Sequence, residues 1–259
     1  MERAQLASAD LANVLVTEVA RRTDGWQPPP ALAAIEDLTA FTRGKVGPMV
    51  RGLFPQAEQD AVMTLIQNSV VFLTPTNIEH VLRAARWPRA AWDLANLYLG
   101  GVGVDLLADA APRLVGLSED TNCYVSPTYF EEDDPFADFV VHEVAHIFHN
   151  CKRHTAGLRE TRRREWLLDV DFRKRETFAY SCEAYACLLR RSKKPAERVA
   201  LAAELGDSFG TGDSRIEPGE IADIIRDAAT HRNGWKTILK RCAPRDEWAQ
   251  RIHPPFSPG

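Results

Sequence analysis

Two histidines four residues apart, His142 and His146, bracket Glu143 in the stretch Phe139-Val140-Val141-His142-Glu143-Val144-Ala145-His146-Ile147-Phe148-His149. On an α-helix that spacing puts both imidazoles on one face, so the pair could grip a single metal ion. Glu143 falls at the edge of the same face, within reach of a water on that metal. Zinc hydrolysis asks for this set: neutral imidazole ligands, an open coordination position and a carboxylate that takes the water's proton. The bland alternative is a pair of core histidines on a buried helix. A buried Glu143 between them would then need a partner of its own.

The helix that carries these residues has to be started and buried. Asp134-Pro135 reads as its start, with Asp as N-cap and Pro at the first helical position. Phe136, Phe139, Val140, Val144, Ile147 and Phe148 supply an apolar face. A second helix, about 172–191, sets Glu176, Tyr180, Glu183 and Cys187 on one stripe, flanked by Phe178, Ala179, Tyr185 and Ala186. Two carboxylates on a buried stripe are costly, and either a metal or nearby arginines would remove the cost.

Residues 152–198 are basic, with fourteen Lys/Arg against seven Asp/Glu, so +7 locally against −11 for the remainder and −4 overall. Arg162-Arg163-Arg164 and Arg173-Lys174-Arg175 could meet nucleic acid or an acidic protein. No aromatic-interleaved nucleic-acid motif accompanies them. Solvated helix faces and ion pairs with the acidic remainder are therefore the expectation.

The rest of the chain reads as a mainly helical frame. Residues 3–22 have helical apolar spacing, and Asp24 to Pro30 makes a stiff connector. A helix over about 31–42 ends near Gly44, and Gly47-Pro48 marks a further turn. Pro55 opens another helix. Val70 to Leu73 is either a short strand or that helix's end. Residues 77–86 are helical, broken at Trp87-Pro88 and resumed to Leu99. Gly100-Gly101-Val102-Gly103 is a turn, since no Lys-Ser/Thr follows to make a phosphate loop. Asn122 to Pro127 reads as an edge strand, because proline is confined to edges or strand ends, and an edge can pair with an extended peptide. Further helices are expected over 195–205, from Pro218 to His231 and over 235–242, with an extended tail over 252–259. The division expected is a helical region 1–104 and a metal-carrying region 105–259.

At 259 residues, 45% hydrophobic and 26% charged, the chain has an ordinary globular balance. No apolar run approaches the ~18 residues of a membrane helix, and no leader-like block opens the sequence. Five cysteines without close-spaced pairs favour reduced thiols in a cytoplasm, with Cys182 and Cys187 as buried fillers.

His142-Glu143-Val144-Ala145-His146, followed thirty residues after the second histidine by Glu176-Thr177-Phe178-Ala179, resembles the gluzincin metallopeptidases. The Glu-x-Phe-Ala spelling is similar to the ligand helix of gluzincin aminopeptidases and of anthrax lethal-factor-like proteases. The likeness covers about residues 121–190. It implies a zincin-like α+β core with two metal-binding helices and zinc held by His142, His146 and Glu176. Glu143 would be the general base. Glu183-Ala184-Tyr185-Ala186 repeats the spelling, and the family pattern assigns the first Glu to the metal and places a second seven residues on. An oxyanion donor is implied too, with Tyr180 preferred and Tyr185 and His231 as alternatives. The chain lacks the Gly-x-Met-Glu-Asn segment of aminopeptidases, which favours endopeptidase action on a peptide or protein substrate. Lys152 stands where a metzincin has its third histidine, and His149 and His154 are expected outside the ligand set. The rival expectations are a metal-binding regulatory protein without turnover and a nucleic-acid-associated regulator using the basic segment 152–198.

Overall fold

The computed structural model describes residues 2–244 apart from 112, 113, 120, 132, 133, 135, 163, 205–214 and 218. The amphipathic opening forms helix α1 (Glu2–Arg22), as its spacing predicts. Its Leu15 and Val19 enter a small core with Val81 and Leu82 of α5 (Ile78–Ala84) and Leu94 and Tyr98 of α6 (Pro88–Gly101). The glycines at 100–101 end α6, and the expected turn follows at 102–103, where Gly103 takes a φ of 75°. A Cβ on Gly101 would sit 2.1 Å from the Ser126 hydroxyl, so that helix end packs directly on the residues after a strand.

The expected helix over 31–42 is redrawn. A short helix α2 (Pro30–Ala33) is followed by α3 (Leu38–Leu53), whose N-cap Asp37 accepts from the backbone N–H of Thr39 and Ala40. α3 continues through Gly44, Gly47 and Pro48, where turns were expected. A proline inside a helix costs about 3 kcal/mol. Val46, Met49, Val50 and Leu53 are all at most 1% exposed on that helix. Each such side chain contributes about 1.5–3 kcal/mol, so burial wins over propensity.

Pro55 caps α4 (Gln56–Ser69), and Val70–Phe72 then forms strand β1. Gly116–Glu119 and Asn122–Val125 form β2 and β3, and the sheet order is β1-β3-β2. β3 is therefore central, not the edge that Pro127 suggested. β1 pairs with it in parallel and β2 antiparallel. Pro127 lies beyond the strand, in a 3-10 turn, where it removes no ladder hydrogen bond. Strand side chains alternate between faces. Phe72, Cys123 and Val125 enter the large core, whereas Val71, Leu117 and Tyr124 pack on the small one.

The first metal-motif helix, α7, is Phe139–Asn150, and its N-cap is Asp138. Asp134 instead accepts from the N–H of Phe136 in the preceding turn, and Pro135 lies outside the described residues. The second is α8 (Arg175–Arg191), entered through a 3-10 turn at Phe172–Lys174 that Asp171 caps. Behind α8 lie α9 (Pro195–Glu204), α10 (Glu220–Thr230) and α11 (Gly234–Cys242). The large core joins α3 and α4 to α7, α8, α10 and α11. Gly52 of α3 permits this closeness, since a Cβ there would lie 2.1 Å from the Trp235 ring. The expected start at Pro218 and the 252–259 tail fall outside the described residues.

The architecture is thus mainly helical around a three-stranded sheet. Among the described residues no helix is long and apolar enough to cross a membrane. All five cysteines are free and buried. Burial holds every one of their thiols above the ordinary range, so none is poised as a thiolate ligand.

Candidate metal centre

Helix α7 presents both imidazoles on one face, with His142 Nε2 and His146 Nε2 3.1 Å apart. α8 packs across them and brings in Glu176 from its first turn. Glu176 Oε2 lies 3.7 Å from His142 Nε2 and 3.4 Å from His146 Nε2. These ligand atoms all fall within 4.8 Å of one another, and the three residues could hold a metal ion.

The outer edges of both rings determine which nitrogen carries a proton. Glu183 Oε2 is 3.1 Å from His142 Nδ1. An ionised carboxylate only accepts, so His142 donates from Nδ1 and turns Nε2 toward His146 and Glu176. The second ring is set through a chain of three groups. Arg175 Nη1 donates to Asn150 Oδ1 at 3.3 Å, which identifies that atom as the amide oxygen. His149 Nδ1, 3.1 Å from the same oxygen, is therefore a donor. Burial, with help from His146 and Arg175, lowers the His149 pKa to about 3, so this ring is neutral and its Nε2 accepts. His146 Nδ1, 3.0 Å from that Nε2, must then donate, and its own Nε2 is the atom turned toward His142 and Glu176.

Two imidazole nitrogens and a carboxylate oxygen thus converge on one point. Such a donor set is repulsive unless a cation lies among its members, and it fits a divalent metal that takes imidazole and carboxylate. Without a metal a proton relieves the repulsion. Burial disfavours a charged His142, but Glu176 and Glu183 outweigh it and raise the pKa to about 9. Burial likewise raises the Glu176 pKa, and His142, His146 and Arg215 more than reverse this, holding the carboxyl well below its usual range.

Glu143 is 9% exposed, and its carboxylate is held by the hydroxyl of Ser118. That serine stands on β2, opposite Cys123, on the face turned to the large core. The sequence reading missed β2 and with it Ser118; four residues beginning with glycine carry too little periodicity to be seen. Phe139 stacks on the His142 ring at 6.3 Å and 11°. A Cβ on Gly116 would lie 1.7 Å from the Phe139 ring, so this glycine makes room for it.

The remaining candidates separate. The Tyr180 ring meets His142 edge-on at a centroid distance of 4.4 Å. Tyr185 is turned away, packed on Trp235 with its ring against Gly234. His231 is engaged with Asp227 and Thr230 at the end of α10. Neither of these two is brought to the metal-capable group. His154 pairs with Glu160, Lys152 with Glu165, and Asp171 caps Arg173.

Asp138 organises the far side. Its buried carboxylate takes Lys45 Nζ at 2.9 Å, Arg190 Nη1 at 2.6 Å and the Tyr129 hydroxyl at 2.9 Å. Its backbone N–H donates to Glu183 Oε1 at 2.6 Å, so the residue that caps α7 also fixes the acid that orients His142. Beside the metal-capable group opens a cleft of about 460 Å³, lined by His146, His149 and Glu176 together with Arg173, Arg175 and Arg215. Much of the basic segment is neutralised in place: Arg153 and Arg164 by Glu58, Lys174 by Glu220, Arg190 by Asp138.

No family model, curated protein or solved structure matches this chain.

Proposed function

We propose that the protein is a zinc-dependent metallopeptidase with a zincin-like core, acting on an internal bond of a peptide or protein. The observation that carries this reading is the convergence of His142 Nε2, His146 Nε2 and Glu176 Oε2, with Glu143 alongside. His142, His146 and Glu176 would hold the metal. Zinc bound there supplies Lewis acidity and a water that ionises near neutral pH.

The chain's own residues provide the rest. Glu143 takes the water's proton and returns it to the leaving amine. Ser118 holds the Glu143 carboxylate in place through its hydroxyl. Tyr180, against the His142 ring, is the side chain we assign to the developing oxyanion. β2 is an edge strand carrying Ser118, and an extended peptide pairing along it would lie close to Glu143. The five free cysteines suit a reducing, cytoplasmic setting.

The test is metal content and peptide cleavage measured together. Zinc-loaded protein should contain one zinc per chain and cleave an internal bond in a broad peptide mixture. His146→Ala should lose both. A protein that takes up no stoichiometric metal overturns the assignment, and one that binds zinc but cleaves nothing overturns the peptidase.

A further inference from the structure

Three arginines line the cleft beside the metal-capable group. Arg173 stands in the turn before α8, Arg175 opens that helix, and Arg215 approaches from the segment before α10. Among the described residues no carboxylate pairs with the Arg173 guanidinium, and Asp171 is engaged with its backbone N–H. Among the described residues Arg175 Nη1 donates to the neutral amide oxygen of Asn150, and its Nε is buried without a hydrogen-bond partner. Arg215 meets Glu176 Oε1 at 2.6 Å, whose other oxygen belongs to the metal-capable group. Lys174, between the two arginines, is paired with Glu220.

A concave, partly dry site lined by one sign of charge focuses its field on a ligand of the other sign. Here the lining is positive in a chain of net charge −4, and a divalent metal would make it more so. Guanidinium presents a planar fork that matches a carboxylate with two parallel hydrogen bonds. Phe172, 78% exposed with the Arg175 guanidinium 5.1 Å from its ring centre, adds an apolar rim on which a side chain's methylenes can rest.

We propose that this cleft is a specificity subsite for a peptide carboxylate, carried by an Asp or Glu side chain near the bond that is cut or by the substrate's C-terminus. The assignment of this subsite to a cleaved substrate rests on the metallopeptidase reading. Arg173 is the residue that tests it, because it touches neither the metal-capable group nor the His149–Asn150 chain.

The experiment uses zinc-loaded full-length protein with Arg173→Gln and Arg173→Glu, and peptides differing at one position: Glu, Gln or Lys, each with a free or amidated C-terminus. The unaltered protein should favour a carboxylate over its amide counterpart by about tenfold, the worth of one charge-assisted hydrogen bond. Preference for Glu that survives amidation identifies the side chain as the source, and preference lost on amidation identifies the terminus. Arg173→Gln should remove most of it. Arg173→Glu should shift selection toward the Lys peptide at unchanged zinc content and melting temperature, which loss of folding cannot imitate. Equal handling of Glu, Gln and Lys peptides with free and amidated ends, or a preference untouched by Arg173→Glu, overturns the subsite. Where no peptide is cut, binding of the same set by calorimetry separates the two ideas. Carboxylate-selective, Arg173-dependent binding keeps the subsite while the peptidase falls, and unselective binding removes both.

Discussion

Glu176 and Glu183 grip opposite edges of one imidazole: Glu176 Oε2 lies 3.7 Å from His142 Nε2, and Glu183 Oε2 3.1 Å from its Nδ1. Two turns of one helix thus give a candidate ligand and the acid that aims a ligand. Glu176→Gln should weaken zinc affinity by more than a hundredfold, whereas Glu183→Gln should cost about 10–100-fold, as for other partners of metal-bound histidines. Competition with a calibrated zinc chelator measures both. A larger loss for Glu183→Gln would exchange the two roles.

Glu143→Gln separates the base from the ligands. Zinc content and melting temperature should stay near those of the unaltered protein, while turnover falls by about 10²–10⁴-fold because an amide takes no proton. Ser118→Ala, which removes the hydroxyl on that carboxylate, should lower kcat with KM and zinc content nearly unchanged. Retained cleavage in Glu143→Gln would assign the proton transfer elsewhere.

Away from the metal, Glu58 and Arg153 form an ion pair with side chains 14% and 5% exposed. Glu58→Gln strands the arginine and should destabilise by about 2–3 kcal/mol, below the 3–5 kcal/mol of fully buried pairs. Hydrogen bonding to Arg153 outweighs burial and lowers the Glu58 pKa. The pair's stabilisation is therefore complete above the unfolded value of about 4.3 and disappears as pH falls through the lower folded value. Thermal melts from pH 7 to pH 2 should fall less steeply for Glu58→Gln. Parallel curves would exclude the linkage.

Gly116→Ala drives a methyl into the Phe139 ring. Overpacking of this kind costs about 1–3 kcal/mol. Because Phe139 stacks on His142, zinc affinity should fall together with melting temperature. Restored affinity in Gly116→Ala/Phe139→Leu would trace the effect to that contact, and full affinity in Gly116→Ala alone would refute it.

What the sequence discloses here depends on how local the signal is. His142, Glu143 and His146 share a face by spacing alone, and the stripe on α8 is equally local, so these could be placed without long-range information. The capping of α7 could not. Asp134-Pro135 has the better local spelling, but Asp138 gains Lys45 and Arg190, contributed by helices distant in the chain. α3 runs through Gly47-Pro48 because of what its far end buries, a tertiary fact. The central place of β3 depended on two short strands of three and four residues, below the length at which alternation is visible. Arg173 and Arg175 were read as part of a charge run. Only folding shows that Lys174 between them is neutralised while they line a cleft.

The three-stranded sheet faces two different cores, one on each side. β3 is closed off in every direction, by a strand at each edge and a packed layer on each face. Its backbone amides can meet solvent only when those layers part, so they should be among the slowest in the chain to exchange with deuterium. The N–H groups on the outer edge of β2, next to Ser118, should exchange far sooner. Side by side, the two strands would report how rigidly the protein holds Glu143 from behind while the edge in front of it stays open.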